Sequence, residues 1–147
     1  MAKLFVILMA DDDPDDCLLV REAISESGRV YDLRIVRDGE ELLDYLSHRG
    51  NYAEAGKAPR PDLILLDMKM PKKDGREALR DLKADAHLKK IPVVVLTTST
   101  DKEDIEYMYR LGVNSYVTKP VTFRGLVDLM DTLGKYWFDM VELPHRE

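Results

Sequence analysis

Acidic side chains are concentrated where the first apolar segment of the chain ends. Residues 8–16 read LMADDDPDD, which places five aspartates within six positions. Two carboxylates about 4 Å apart repel each other by roughly 4 kcal/mol at an effective dielectric constant near 20. Such a group either is diluted by water, as in a solvated turn that caps the next helix, or binds a cation.

Other polar side chains close later apolar segments. These are Asp67, Thr97 and Lys119. In an open parallel sheet the carboxyl ends of the strands meet at one edge, and ligands bind outside that edge. We therefore expect these three side chains to lie close to Asp11 and Asp12.

Carboxylates gathered at one edge of a sheet favour a metal site. Asp11, Asp12 and Asp67 would bind an anion poorly but would suit a hard divalent cation such as magnesium. A carboxylate beside a metal is also a possible nucleophile toward phosphorus and forms an acyl phosphate in some ATPases. Thr97 could then donate to a phosphoryl oxygen and Lys119 could pair with its charge, although each alone is an ordinary strand-end residue.

Strands and helices that would position these residues alternate along the chain. Short apolar runs predict strands at 4–10, 32–36, 62–67, 91–97 and 114–119. Helical periodicity and capping residues predict helices at 14–27, 38–49, 75–85, 101–111 and from about 121. Three of the strands are apolar on both faces, which is typical of a parallel sheet covered on both sides. The predicted fold is α/β, a doubly wound parallel sheet of five strands with five helices.

Two segments depart from this repeat. Residues 50–61 carry glycine, proline and alanine without a sustained period and predict an extended loop. Beyond residue 122 a helical apolar stripe continues for about 20 residues, to Val141. It either forms an interface or folds back as part of the core.

Composition and charge limit the class of protein. The chain has 147 residues, 45% of them hydrophobic and 34% charged, as expected for one soluble globular domain. A net charge of -6 argues against nucleic acid or anionic membrane as partners. The apolar segment 4–10 is too short to span a bilayer, so we expect a cytoplasmic protein. Cys17 aligns with Val20 and Ile24 and is predicted to be a core thiol.

Several motifs occur together and resemble a known family. They are the acid pair Asp11–Asp12, the segment DLILLDMKMPKKDG, the threonine that closes the fourth strand, and YVTKP. Thr97 and Lys119 follow Asp67 by 30 and 52 residues. In combination these motifs resemble the receiver domain of two-component response regulators, over roughly residues 4–136. The resemblance implies a flavodoxin-like fold with strand order 2-1-3-4-5.

The same resemblance implies a role for each acidic residue. Asp67 matches the phosphoacceptor, which takes a phosphoryl group from the phosphohistidine of a histidine kinase. Asp12, Asp67 and the backbone carbonyl of Lys69 match magnesium ligands, with Asp11 acting through water. The side chain of Lys69 departs from the residues most frequent at that position, where the dephosphorylation rate is set, so no phosphate lifetime is inferred.

Three further residues match the family's switch. Thr97 corresponds to the hydroxyl that moves toward the phosphoryl group, and Tyr116 to the aromatic that turns inward with it. Lys119 corresponds to the cation that pairs with Asp67 or its phosphate. The Lys119–Pro120 bond is typically cis in this family. The resemblance implies a signal on the face of the fourth helix, fifth strand and fifth helix, read by a partner or by dimerisation.

A subgroup of the family shares further features with the chain. The loop before the third strand, the PKKDGRE segment and the aromatic YWFDMVELP tail resemble small stand-alone regulators of cyanobacterial-type phytochrome kinases, which pair as homodimers. We therefore expect residues 1–147 to form a single receiver domain, with 137–147 as a C-terminal extension. The expected partners are a histidine kinase, a second copy and an unidentified downstream protein.

Alternative functions fit the sequence less well. A metal-dependent phosphatase with an aspartyl nucleophile usually needs a second acid two residues after the nucleophile, where Lys69 stands. A receiver-like scaffold that accepts no phosphate is disfavoured because all expected site residues are present. A DNA-binding regulator would need a helix-turn-helix module after the fifth strand, where we expect only one helix and a short tail. The expected protein is a phosphorylation-switched signalling protein that assists its own phosphotransfer and dephosphorylation, not an enzyme with a separate substrate.

Overall fold

Five parallel strands form one sheet in the order β2-β1-β3-β4-β5, in a computed structural model that describes residues 4–144. The strands are β1 (Val6–Ala10), β2 (Asp32–Val36), β3 (Leu63–Leu66), β4 (Val93–Thr97) and β5 (Ser115–Thr118). All five predicted strands and the predicted order are confirmed. The central strand β1 pairs with β2 and β3 in a register that brings Ala10 opposite both Val36 and Leu66. The three strands therefore end side by side.

Five helices connect and cover the strands. They are α1 (Pro14–Ser27), α2 (Gly39–Ser47), α3 (Gly75–Ala84), α4 (Lys102–Leu111) and α5 (Phe123–Gly134). The α1 helix has the predicted bounds because Asp13 accepts hydrogen bonds from the first-turn amides and Gly28 ends it with a φ of 81°. The α2 helix ends earlier than predicted, since His48 adopts a left-handed φ of 55°.

The sheet separates two hydrophobic cores. One contains Leu8, Ile64 and Val95 from the sheet and side chains of α2, α3 and α4. The other contains Ile7 and Leu65 with side chains of α1 and α5. Cys17 belongs to the second core, as predicted, and burial together with the charge of Asp11 raises the pKa of its thiol to about 11. No helix in residues 4–144 has the length and apolarity needed to cross a membrane.

Residues 50–61 are more ordered than the predicted extended loop. They begin with one turn of 3₁₀ helix, Gly50–Tyr52, whose tyrosine hydroxyl donates to Glu41 at 2.6 Å. The Tyr45 and Tyr52 rings lie 5.0 Å apart, and the Tyr45 hydroxyl donates to the Pro59 carbonyl at 2.8 Å. The predicted loop is confirmed apart from this 3₁₀ turn, and the two tyrosines fasten it to α2.

The C-terminal stripe packs against the second core. The α5 helix continues into a π-helical turn, Lys135–Met140, in which Trp137 and Phe138 pack against that core while Tyr136 and Met140 stay exposed. The Phe138 ring stacks on Phe5 with a centroid distance of 4.2 Å. For Trp137 and Phe138, the structure therefore supports the second of the two alternatives drawn from the sequence.

Arg29 fastens this turn in place. Its Nε lies 2.8 Å from Asp131 Oδ1 and its Nη2 lies 3.1 Å from Asp139 Oδ2. We call these three residues the C-terminal clamp. Because Arg29 follows α1 directly, the clamp joins the end of α5 to the α1–β2 connection.

Gly134, at the end of α5, lies against the side chains of Arg29 and Tyr31. A Cβ at this position would overlap the Tyr31 hydroxyl and lie 2.6 Å from Arg29 Cδ. We expect Gly134→Ala to lower the free energy of unfolding by about 1–3 kcal/mol through overpacking. Alanine in place of an unconstrained glycine instead raises stability by about 0.4–1 kcal/mol. Urea denaturation followed by circular dichroism measures the difference.

Thr132→Ala is the control, since Thr132 is exposed on the same helix. We expect its free energy of unfolding to change by less than about 0.5 kcal/mol. A Gly134→Ala protein more stable than the wild type would contradict the close packing of α5 on Arg29 and Tyr31.

Candidate functional site

The carboxyl edge of the sheet brings the predicted acidic residues together. Asp11 and Asp12 follow β1 and Asp67 follows β3, and each offers a carboxylate oxygen within 4.8 Å of the others. Asp11 and Asp67 are buried whereas Asp12 is exposed. Three carboxylate oxygens at such spacing, open to water on one side, fit the way proteins bind Mg²⁺ through a few carboxylates and several waters.

Backbone contacts fix the two buried carboxylates. The Asp67 amide donates to the Ala10 carbonyl at 3.0 Å, which extends the β1–β3 pairing to the site. Asp67 Oδ1 accepts from the Met68 amide at 2.8 Å, and Asp11 Oδ1 accepts from the Asp13 amide at 2.9 Å. Burial raises the pKa of Asp11, against the opposing effect of its hydrogen bonds to Lys119 and Asp13.

Lys119 reaches the same edge from the end of β5. Its Nζ lies 2.8 Å from Asp11 Oδ2, 2.7 Å from Asp16 Oδ2 and 3.8 Å from Asp67 Oδ2. The side chain is 13% exposed. Burial lowers the pKa of Lys119, but the hydrogen bonds to Asp11 and Asp16 outweigh burial and raise it overall. The ammonium therefore stays charged and contacts Asp11 and Asp16 more closely than Asp67.

Asp16 is the acidic residue whose contact the sequence does not reveal. It lies in the first turn of α1, where negative charge is favoured by the helix dipole. Its contact with Lys119 joins residues 103 positions apart in the chain. The sequence feature that could have indicated this contact is the number of aspartates in residues 8–16. They are more numerous than a metal site and a helix cap require.

The resemblance also implied a cis bond between Lys119 and Pro120. That expectation was wrong for this structure, because residues 4–144 contain no cis peptide bond. The trans form is the usual one for a bond before proline.

Thr97 ends β4 at this edge, and Tyr116 lies on the adjacent strand β5, opposite Val95. Thr97 is 1% exposed, and its hydroxyl has no hydrogen-bond partner within the described part of the chain. The Tyr116 hydroxyl donates to the Ser99 carbonyl at 2.9 Å, two residues after Thr97. A buried donor without a partner is costly, so this hydroxyl stands ready for an acceptor that enters the site.

The segment after Asp67 forms the rim of the acidic site. Lys69 is exposed and borders an open cleft with Asp12 and Asp74. Its predicted carbonyl ligand role stays a prediction. Gly75, which sequence reasoning missed, starts α3 against this segment, and a Cβ there would overlap the Asp67 carbonyl oxygen and lie 2.9 Å from Met68 Cα. Glycine is therefore required for α3 to approach the backbone of Asp67.

The fold and this edge define a class of protein. The sequence model of the response regulator receiver domain matches residues 7–131. The chain belongs to that family.

Within the family, the chain is similar to regulators associated with phytochromes. It is 42% identical to response regulator Rcp1 of Synechocystis sp. over 139 residues, which cover 95% of this chain and 92% of Rcp1. The crystal structure of the phosphorylated cyanobacterial phytochrome response regulator RcpA superposes with a TM-score of 0.88 at 41% identity, covering 97% and 100% of the two chains. Response regulator RPA3017, in red light signaling of R. palustris, superposes with a TM-score of 0.92 at 35% identity, covering 97% of this chain and 100% of RPA3017.

A solved form of Rcp1 bears on the acidic cluster. The Mn²⁺-bound form of Rcp1 superposes with a TM-score of 0.85 at 41% identity, covering 96% of this chain and 99% of Rcp1. Rcp1 thus binds a divalent cation, and the carboxylates of Asp11, Asp12 and Asp67 are a donor set suited to such an ion.

The unpartnered hydroxyl of Thr97 leads to a prediction about stability. Thr97→Val keeps the shape of the side chain and removes a buried polar group without a partner. We expect the free energy of unfolding to stay unchanged or to rise by about 1 kcal/mol. Urea denaturation of the two proteins measures the change.

Tyr45→Phe is the contrasting variant, because the buried Tyr45 hydroxyl is hydrogen-bonded to Pro59. Its removal should lower the free energy of unfolding by about 1 kcal/mol. A comparable loss for Thr97→Val would show that the Thr97 hydroxyl has a partner in the folded protein.

Proposed function

We propose that this protein accepts a phosphoryl group on Asp67 from the phosphohistidine of a histidine kinase, in a magnesium-dependent reaction. The observation that carries the proposal is a buried ammonium 3.8 Å from Asp67 Oδ2, together with the unpartnered buried hydroxyl of Thr97 at the end of β4, the strand that pairs with β3. Carboxylates alone at this edge of the sheet would account only for the binding of a cation. A donor hydroxyl and an ammonium at the strand edge that carries the carboxylate suit a nucleophile that gains a phosphoryl group.

In the proposed transfer, a carboxylate oxygen of Asp67 forms a bond to phosphorus while the bond between phosphorus and the donor imidazole nitrogen breaks. The electron pair of that bond leaves with the imidazole. The hydrogen bond from the Met68 amide orients the carboxylate, and the Thr97 hydroxyl donates to a phosphoryl oxygen. Lys119, 3.8 Å from Asp67 Oδ2, offsets charge on the transferred group.

The metal ligands are proposed to be Asp11, Asp12, Asp67 and the backbone carbonyl of Lys69, with Asp11 acting through water. A bound Mg²⁺ would offset negative charge on the carboxylates and on the phosphoryl oxygens. The Mn²⁺-bound form of the relative Rcp1 supports the binding of a divalent cation.

The proposed output is a change on the face formed by α4, β5 and α5. Thr97 and Tyr116 would act as the switch, because they connect the site to the β4–α4 turn and to β5. Tyr109 on α4, Phe123 on α5 and Val121 in the β5–α5 connection leave apolar surface exposed. We propose that a downstream protein or a second copy reads this face. Moving the active state from 1% to 99% requires phosphate to favour it by about 5.5 kcal/mol.

Similarity to phytochrome-associated regulators suggests the kinase. We propose a phytochrome-type histidine kinase as phosphoryl donor, and a homodimer as the assembled form. Residues 1–147 would form one cytoplasmic receiver domain, with 137–147 as its C-terminal extension. The protein would act as a switch that assists its own phosphotransfer and dephosphorylation, without nucleic acid or membrane as partner.

Chemical phosphorylation tests the acceptor. On incubation with acetyl phosphate and magnesium, we expect the intact mass of the wild type to rise by one phosphoryl group. Asp67→Asn should show no increase, because the amide is not a nucleophile toward phosphorus. Intact-protein mass spectrometry under mildly acidic quench reads both.

Asp74→Asn is the matched control. Asp74 borders the same cleft and caps α3, and asparagine is an equally good cap, so this variant should gain the phosphoryl mass. If the wild type gains no mass and also fails to bind beryllofluoride, the proposed function is wrong. If Asp67→Asn gains the same mass as the wild type, another residue is the acceptor.

Metal binding should stabilise the folded protein. Because Mg²⁺ binds the folded site and not the unfolded chain, we expect about 2.7 kcal/mol of added stability at 100 times the dissociation constant. Asp12→Asn removes an exposed ligand and should reduce this gain at the same Mg²⁺ concentration. Thermal unfolding with Mg²⁺ and with excess EDTA measures the gain, and an equal gain in Asp12→Asn would exclude Asp12 as a ligand.

A further inference from the structure

Lys119 makes a contact that the proposed phosphoryl transfer does not use. An ammonium has three hydrogens to donate, and the Nζ of Lys119 directs two hydrogen bonds to Asp11 and Asp16, at 2.8 and 2.7 Å. Asp67 Oδ2, at 3.8 Å, lies beyond hydrogen-bond distance. The shortest contact of the ammonium is therefore to a carboxylate outside the proposed metal and acceptor sets.

Asp16 holds this position because of where α1 begins. Asp13 caps the helix and Pro14 starts it, which places Asp16 in the first turn, facing the end of β5. Its side chain is 32% exposed, so replacing it leaves no large cavity. Asp15 occupies the same first turn, is exposed, and makes no ion pair within residues 4–144. The contact with Lys119 is thus specific to Asp16 and is not a general property of acidic residues in this turn.

We propose that Asp16 is a positioning residue that holds the Lys119 ammonium away from Asp67 until a phosphoryl group arrives. This inference rests on the proposed function of Asp67. A phosphoryl group on Asp67 adds negative charge and further acceptor oxygens next to the ammonium, which then turns from Asp16 toward the phosphoryl oxygen. Asp16 and the phosphoryl group compete for the same ammonium, so Asp16 favours the unphosphorylated arrangement of the site.

Competition for the ammonium has a measurable consequence. The ammonium lies 3.8 Å from Asp67 Oδ2, so a phosphoryl-like anion on Asp67 draws it away from Asp16 and weakens the Lys119–Asp16 contact. Removal of the Asp16 charge should therefore strengthen binding of the anion. A role of Asp16 in helix stability alone would leave the affinity for such an anion unchanged after correction for folding. The anion affinity therefore separates the positioning role from a structural one.

The test measures beryllofluoride binding in saturating Mg²⁺ by isothermal titration calorimetry on the full chain. We expect Asp16→Asn to bind beryllofluoride about fivefold more tightly than the wild type, the size of effect typical of one partly exposed ion pair. The matched control is Asp15→Asn, which removes the same charge from the same helical turn, and we expect its affinity to stay within about twofold of the wild type.

A double-mutant cycle shows whether Asp16 acts through Lys119. In the Lys119→Met background, Asp16→Asn should leave the affinity for beryllofluoride unchanged. Lys119→Gln replaces Lys119→Met if the methionine variant does not fold, as judged by circular dichroism.

Each outcome decides between distinct explanations. If the wild type itself does not bind beryllofluoride, the proposed function fails. If the wild type binds and Asp16→Asn matches Asp15→Asn or binds more weakly, the positioning role of Asp16 is overturned. If Asp16→Asn strengthens binding equally in the Lys119→Met background, the Asp16 charge repels the anion directly, and the competition for Lys119 is overturned.

Discussion

Repulsion between carboxylates at the end of the sheet is the constraint that the rest of this structure must satisfy. Asp11 and Asp67 are both buried, and β1 and β3 pair so closely that their carboxylates lie within 4.8 Å of each other. Water cannot reach these two groups freely, so their charges need a cation. Lys119 supplies one from the end of β5, and the open side at Asp12 leaves room for another.

The neighbouring segments hold this arrangement by backbone contacts. Gly75 lets α3 start against the backbone of Asp67, and the Gly39 amide at the start of α2 donates to the Lys73 carbonyl at 2.8 Å. On the other side, Ser99 Oγ donates to Asp104 Oδ2 at 2.9 Å, and Asp104 is paired with Arg76 at 3.0 Å. The β4–α4 turn, which carries the Tyr116 hydrogen bond, is thereby attached to α3 as well as to the sheet.

Most of the fold could be predicted because its signals are local in the sequence. Alternating apolar segments, the Pro14 start of α1 and the Gly28 end of α1 define elements whose order leaves few topologies. The strand-end positions of Asp67 and Lys119 follow from the same pattern. What could not be predicted depends on tertiary contact: the left-handed His48 that shortens α2, and the tyrosines that order residues 50–61.

The site shows the same division. That Asp11, Asp12 and Asp67 meet follows from parallel pairing, and the intervals to Thr97 and Lys119 fit a known family. The contact between Asp16 and Lys119 depends on the angle at which α1 leaves β1, which no local pattern specifies. The need for glycine at position 75 likewise arises from the approach of α3 to Asp67, which is a distance between two elements.

The C-terminal clamp joins elements of one layer that lead to opposite edges of the sheet. The α5 helix belongs to the face near β5, whereas Arg29 and Tyr31 lie on the connection that leads into β2, the strand at the opposite edge. A rotation of α5 must therefore either break the ion pairs of Arg29 with Asp131 and Asp139 or move the α1–β2 connection together with α5. The C-terminal turn thus braces the α1/α5 layer. A movement of α5 near β5 is opposed by the ion pairs of Arg29 near β2.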